Sequence, residues 1–275
     1  MDTNILNTVY TSVIDDINNN KASIPRIPSH TFMIDRVFRD DDSSLSDLAR
    51  VIDAEPSLAL RLIQVSNSAF YGSVSTIKTT RNALTRIGMK AARNMALALA
   101  VRDTFRSKDE YVNAVLTKLW NDSVDVATVA AVLAKKFKMD IDEAFLSGII
   151  HQVGFLAVAG YWMVHGQHNG TDKVHLFETI APLLTCSLGS YVLMHWKFPV
   201  ELNDSVRSHC DPFGVESEAL TIADLVIVAK EYCRHHAVTF DVTPSVMKCG
   251  LTYAEMREMD AEFAEYGAEV KSVFS

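Results

Sequence analysis

The segment Ala144–Gly160, AFLSGIIHQVGFLAVAG, constrains the fold more than any other part of the chain. It is apolar almost throughout, has no Pro and carries three Gly, which predicts one buried helix that approaches its neighbours closely. His151 and Gln152 sit side by side in its middle. An unpaired buried polar group costs about 1–3 kcal/mol. The pair therefore either closes a hydrogen-bonded core network or marks a site.

A buried helix needs other helices around it, and the rest of the chain supplies them. Ile5, Leu6, Val9, Val13, Ile14 and Ile17 fall at helical spacing. Ile24-Pro25-Arg26-Ile27-Pro28 is extended, since each Pro disfavours helix in the residue before it. Ser29 is placed to cap a helix over 30–39, and Ser44 or Ser46 to cap the next one, through Ile52. Leu58 to Ser66, Thr80 to Ile87, Met89 to Arg106 and Tyr111 to Lys138 follow as helices, with Gly88 as a stop. A loop is expected at about 165–172, then helices over Leu176–His195, Glu201–His209, about 216–236 and about 252–272. No alternating strand pattern and no repeat appears. The expected fold is all-α.

Composition narrows the class. An apolar fraction of 48% over 275 residues supplies a sizeable core. A net charge of −8 argues against nucleic-acid binding through bulk charge. Cys186, Cys210, Cys233 and Cys249 form no C-x-x-C pair and suggest no disulfide framework. The acidic amphipathic start is unlike a signal peptide. Gly148–Val164 is the best membrane candidate, but it has only about the minimum length for a span and contains the polar pair. The expectation is a soluble cytoplasmic chain with no membrane partner.

Ile149 to Gly154, I-I-H-Q-V-G, resembles the L-x-H-D-I/V-G motif of the HD superfamily of metal-dependent phosphohydrolases, with Gln152 where the motif has Asp. Further motifs resemble, in order, the HDOD domain, a relative of those hydrolases found in bacterial signalling proteins. They are Ile24-Pro25-x-Ile27-Pro28, Leu48-Ala49-x-x-Ile52-x-x-Glu55-Pro56, Leu62 to Tyr71 (LIQVSNSAFY), Ala83 to Gly88 (ALTRIG), Leu119-Trp120 with Ser123, and Gly189 to Pro199. The resemblance runs from about 24 to about 225. It implies two packed helical lobes, divided here as 1–106 and an HD-like 107–240, with a tail over 241–275.

Carried over residue by residue, the family's ligand positions fall at Asp122, His151, Gln152, His209 and Asp224. In HD hydrolases such ligands hold divalent ions that activate water and clamp phosphate. Gln152 is a degenerate ligand position, because a neutral amide binds hard cations far less well than a bridging carboxylate. A residual single-metal site of His151, Asp122, Asp224 and His209 stays chemically open. The other reading is a hydrogen-bonded core network.

Other residues also admit two readings. Asn67, Ser68 and Tyr71 either lock the lobes together or, with Arg81, line a ligand or partner groove. Arg81, Arg86, Lys90 and Arg93 either meet an anion or form a solvated face. His165, His168 and His175 surround a loop, His235-His236 read as surface residues, and adjacent His209-Cys210 is a poor catalytic pair. The expectation is a non-enzymatic signal-transduction module that meets a signalling protein or nucleotide ligand. A divergent metal-dependent phosphohydrolase or phosphodiesterase is the alternative. No catalytic residue or cofactor is assigned, beyond a divalent metal at the residual set. The tail packs either on the body or on a second subunit of a homo-oligomer.

Overall fold

The chain folds into α1 (Asp2–Asn18), α2 (Ser29–Arg39), α3 (Leu45–Asp53), α4 (Pro56–Ser66), α5 (Thr80–Arg102), α6 (Glu110–Phe137), α7 (Ile141–Ile150), α8 (Gly154–Tyr161), α9 (Ala181–His195), α10 (Asn203–Ser208), α11 (Ile222–Cys233), α12 (Pro244–Cys249), α13 (Tyr253–Glu258) and α14 (Asp260–Phe274). This computed structural model describes residues 2–19, 24–68, 71, 75–166, 172–211, 217–234 and 240–274, without the side chains of 2, 29 and 30. No strand occurs among the described residues.

Local chemistry sets many of these boundaries. Ser44 caps α3 in a reciprocal box with Asp47, and Thr221 does the same for α11 with Asp224. Helix α2 begins one residue earlier than expected, with Pro28 rather than Ser29 at the cap. Gly88 interrupts α5, as expected, with non-helical angles between two helical segments. It kinks α5 at φ +86°, a backbone conformation that side chains other than glycine's rarely adopt.

Helices α2 to α5 form one lobe, with α5 packed against α2, α3 and α4. Helix α6 runs through the other lobe and contacts α7, α11 and α14. Helix α5 meets α7 across the lobe boundary, where the Tyr71 hydroxyl donates to Asp142 over 2.7 Å. The lobe division needs one correction: α1 packs on α8 and α9, inside the HD-like lobe. His165 Nε2, 2.7 Å from buried Asp16, fixes that contact.

The tail packs on the body. Phe274 sits against both Trp120 and Phe145, and α14 touches α4 as well as α6. The stretches Ile141–Gly166 and Lys173–His195 are long and apolar enough to cross a membrane, but 94% of an apolar 18-residue window in the first is buried in the protein, where its apolar side chains form core.

Candidate functional site

The predicted single helix over Ala144–Gly160 is broken at the polar pair. Helix α7 stops at Ile150 and α8 starts at Gly154. Between them the amides of Val153, Phe155 and Leu156 bond carbonyls three residues back, so the chain tightens there. Gly154 explains its own place in the motif: a Cβ there would lie 1.9 Å from the Thr185 carbonyl oxygen, so α8 and α9 cross backbone to backbone. The tightened turn delivers His151 and Gln152 to the wall of a cavity.

That cavity has a volume of about 660 Å³. Helix α6 contributes Tyr111, Lys118, Asp122 and Asp125, and α11 with its C-cap contributes Lys230 and Arg234. Phe155 and Phe177 supply apolar wall. Asp125 is also paired with Lys271 of α14 at 2.8 Å. Gln152 is 8% exposed and its amide has no protein partner among the described residues.

Behind Gln152 lies a packed floor. His151 Nδ1 is 2.6 Å from the Gly148 carbonyl. A carbonyl only accepts, so Nδ1 carries the proton and Nε2 the lone pair. The His209 ring meets the His151 ring edge to face at 4.9 Å, and His209 Nδ1 lies 3.0 Å from the Val206 carbonyl. The Lys230 ammonium donates to the His209 carbonyl.

Burial dominates the electrostatics here. It pushes His151 down to about 3 and holds His209 well below the ordinary imidazole value, with neighbouring positive charge adding to both shifts. Both rings are neutral near pH 7, and acid destabilises this floor as pH falls from the unfolded imidazole value toward the folded one. Lys230 is pushed down to about 8, first by burial and then by Arg234. Asp122 is raised, chiefly by burial and in part by Asp125.

Of the predicted ligand set, His151, Asp122 and Gln152 line the cavity. Asp224 does not. Its carboxylate accepts from the Thr221 amide at 2.9 Å, the Thr221 hydroxyl at 2.7 Å and the Ser245 hydroxyl at 2.6 Å, and pairs with Lys248 at 3.2 Å. His209 lies in the floor, its ring pressed on His151. The donors therefore fit poorly to the two-metal arrangement of HD hydrolases. Position 152 is a neutral amide, the Asp224 oxygens are already engaged, and a buried ammonium beside two imidazoles raises the electrostatic cost of a divalent ion.

The other predicted groups are mostly committed elsewhere. Asn67 bonds both the amide and the carbonyl of Ile77, and also the Ile63 carbonyl, closing the chain between α4 and α5. Ser68 and Tyr71 border a gap of about 20 Å³, too small for a ligand. Arg86 donates to the Ser66 and Ser75 carbonyls, Lys90 pairs with Asp140 and Glu143, and Arg93 pairs with Asp35. Arg81 is exposed and apart from them. A groove of about 370 Å³ does run between the lobes, past Phe38, Asn94, Glu143 and Glu201. His168, His235 and His236 lie outside the described residues.

Sequence reasoning missed Lys230, Arg234, Lys118 and Tyr111. The available signal was Lys230 as the lone cation within the apolar run IADLVIVA-K. It also missed a bond. Cys186 and Cys210 form a disulfide, 24 residues apart, which corrects the expectation that no disulfide is present. Neither spacing nor count marks such a pair.

The fold and site define an all-helical, two-lobed protein with an HD-like core and an altered ligand set. The HDOD domain model matches residues 24–212, and the chain belongs to the HDOD family. Among solved structures, it resembles a proposed metal-dependent phosphohydrolase from Shewanella amazonensis SB2B (21% identity, TM-score 0.75, covering 100% of this chain and 99% of that one). It also resembles an HDOD domain protein of unknown function from Geobacter sulfurreducens (19% identity, TM-score 0.68, 95% and 97% covered). A third is a proposed signal transduction protein from Marinobacter aquaeolei VT8 (18% identity, TM-score 0.64, 100% and 66% covered). At these identities the likeness establishes the fold. An uncharacterized protein of Treponema pallidum is 22% identical over 213 residues, 74% of this chain but 41% of that protein.

Proposed function

We propose that this HDOD protein is a non-catalytic signalling module, and that its cavity beside His151 receives a small ligand or a partner's side chain in place of a metal pair. The observation that carries the reading is Lys230, whose buried ammonium borders the same cavity as His151 and Gln152. A fixed cation there suits an anionic group and opposes a divalent ion. The unpartnered Gln152 amide, with Lys118 and Arg234, offers further donors, and Tyr111, Phe155 and Phe177 offer faces for a planar ring. The alternative, a divergent phosphohydrolase with a single residual metal, draws on one observation: Asp122 and His151 border the same cavity.

Elemental analysis separates the two readings. The purified chain is incubated with Mn²⁺, Fe²⁺ or Zn²⁺, with His151→Ala as control. The signalling reading expects no metal that depends on His151. Stoichiometric metal that disappears in His151→Ala would overturn it and call for a screen of phosphodiester substrates.

A further inference from the structure

The disulfide lies directly behind the cavity floor. Cys186, half-buried on α9, bonds to Cys210, which is exposed just after α10. His209 is wedged against both sulfurs. Its Nδ1 is 3.2 Å from Cys186 Sγ, and its Nε2 is 3.5 Å from Cys186 Sγ and 3.6 Å from Cys210 Sγ. Nδ1 also faces the Val206 carbonyl and carries the proton, so Nε2 turns its lone pair toward the sulfurs. On its other sides His209 touches His151 and receives the Lys230 ammonium. One residue thus links the sulfurs to the cavity. The remaining thiols contrast with this pair: burial pushes Cys233 and Cys249 up to about 12, which makes them poor nucleophiles.

We propose that Cys186 and Cys210 are a reversible thiol–disulfide modification site, opened and closed by low-molecular-weight disulfides, whose closed form fixes His209 and Lys230 beneath the cavity. The chemistry is a two-step exchange. Exposed Cys210, as thiolate, attacks one sulfur of oxidised glutathione and expels one glutathione thiolate. Cys186, as thiolate after losing its proton to solvent, then attacks the Cys210 sulfur of the mixed disulfide and expels the second. Two protein thiols become one disulfide, two electrons pass to glutathione disulfide, and two molecules of reduced glutathione leave. This exchange stands apart from the ligand reading above. Its consequence rests on the cavity being the functional site.

The test uses the full chain, reduced and then equilibrated in glutathione buffers from fully reduced to fully oxidised, trapped by alkylation and mapped by peptide mass spectrometry. Cys186 and Cys210 should lose alkylation together and regain it on return to reduced glutathione. Cys186→Ser should leave Cys210 carrying glutathione. Hydrogen exchange at amides 205–211 should be about tenfold slower in the oxidised chain. A pair that stays bonded in the most reducing buffer is a permanent cross-link, and one that stays dithiol in the most oxidising buffer is a mere contact; either result overturns the site. Stoichiometric zinc held by Cys186, His209 and Cys210 in the reduced chain overturns it as well. Equal exchange in the two forms overturns the link to the cavity while leaving the metal test of the ligand reading untouched.

Discussion

The cavity at His151 and the cluster around Asp224 are two buried polar sites, both within the ligand set expected from the sequence, and they differ in how their polar atoms are satisfied. Asp224 is fully buried, and each oxygen has partners from Thr221, Ser245 or Lys248. Nothing is left over for a ligand. At the cavity, Gln152 has no side-chain partner among the described residues, and Lys230 spends one of its three donors on the His209 carbonyl. Burial alone does not separate scaffold from site. What separates them is whether the polar atoms are satisfied internally.

The comparison makes the largest mutational effect fall on Asp224. Asp224→Ala removes the acidic half of the α11 capping box and takes a buried carboxylate from Ser245 and Lys248, so urea unfolding should show a loss of about 3–4 kcal/mol. A loss below about 1 kcal/mol would erase the contrast.

Lys230 should give a smaller, pH-dependent effect. Its folded value of about 8 lies below the ordinary lysine value, so the folded state holds fewer protons than the unfolded state between the two. Stability contributed by this group therefore rises with pH across that window. Measured against Lys230→Met, the wild type should gain about 1.4 kcal/mol on going from pH 7 to pH 9. Parallel curves would mean that the ammonium is well solvated and that the floor is open.

Gln152 should matter least to folding. Gln152→Ala breaks no protein hydrogen bond, so thermal unfolding should report a change below about 1 kcal/mol. A larger loss would place Gln152 with Asp224 as scaffold.

Much of this architecture is legible in the residues, because helical periodicity and ordered motifs survive at low identity. The reading is weaker where a helix is interrupted without Pro or Gly. The turn at His151–Val153 stays near helical angles, so the apolar pattern runs straight through it. Asp224 shows a different kind of miss. Thr221-x-x-Asp224 is itself a capping-box pattern, and that local chemistry engages the carboxylate that the resemblance marked as a ligand. Lys230 and the Cys186–Cys210 bond depend on how α9, α10 and α11 meet in space, which no spacing along the chain records.

Helix α14 also bears on how the protein is made. Arg61 donates to the Val273 carbonyl across 212 residues, and Phe274 fills the space between Trp120 and Phe145. During synthesis the lobe of α2 to α5 therefore emerges from the ribosome long before α14, which braces it against α6 in addition to the α5–α7 contact. Until then the faces of Trp120 and Phe145 that it covers stay open to water or to a chaperone, and the lobes reach their final arrangement after translation of α14 rather than one after the other.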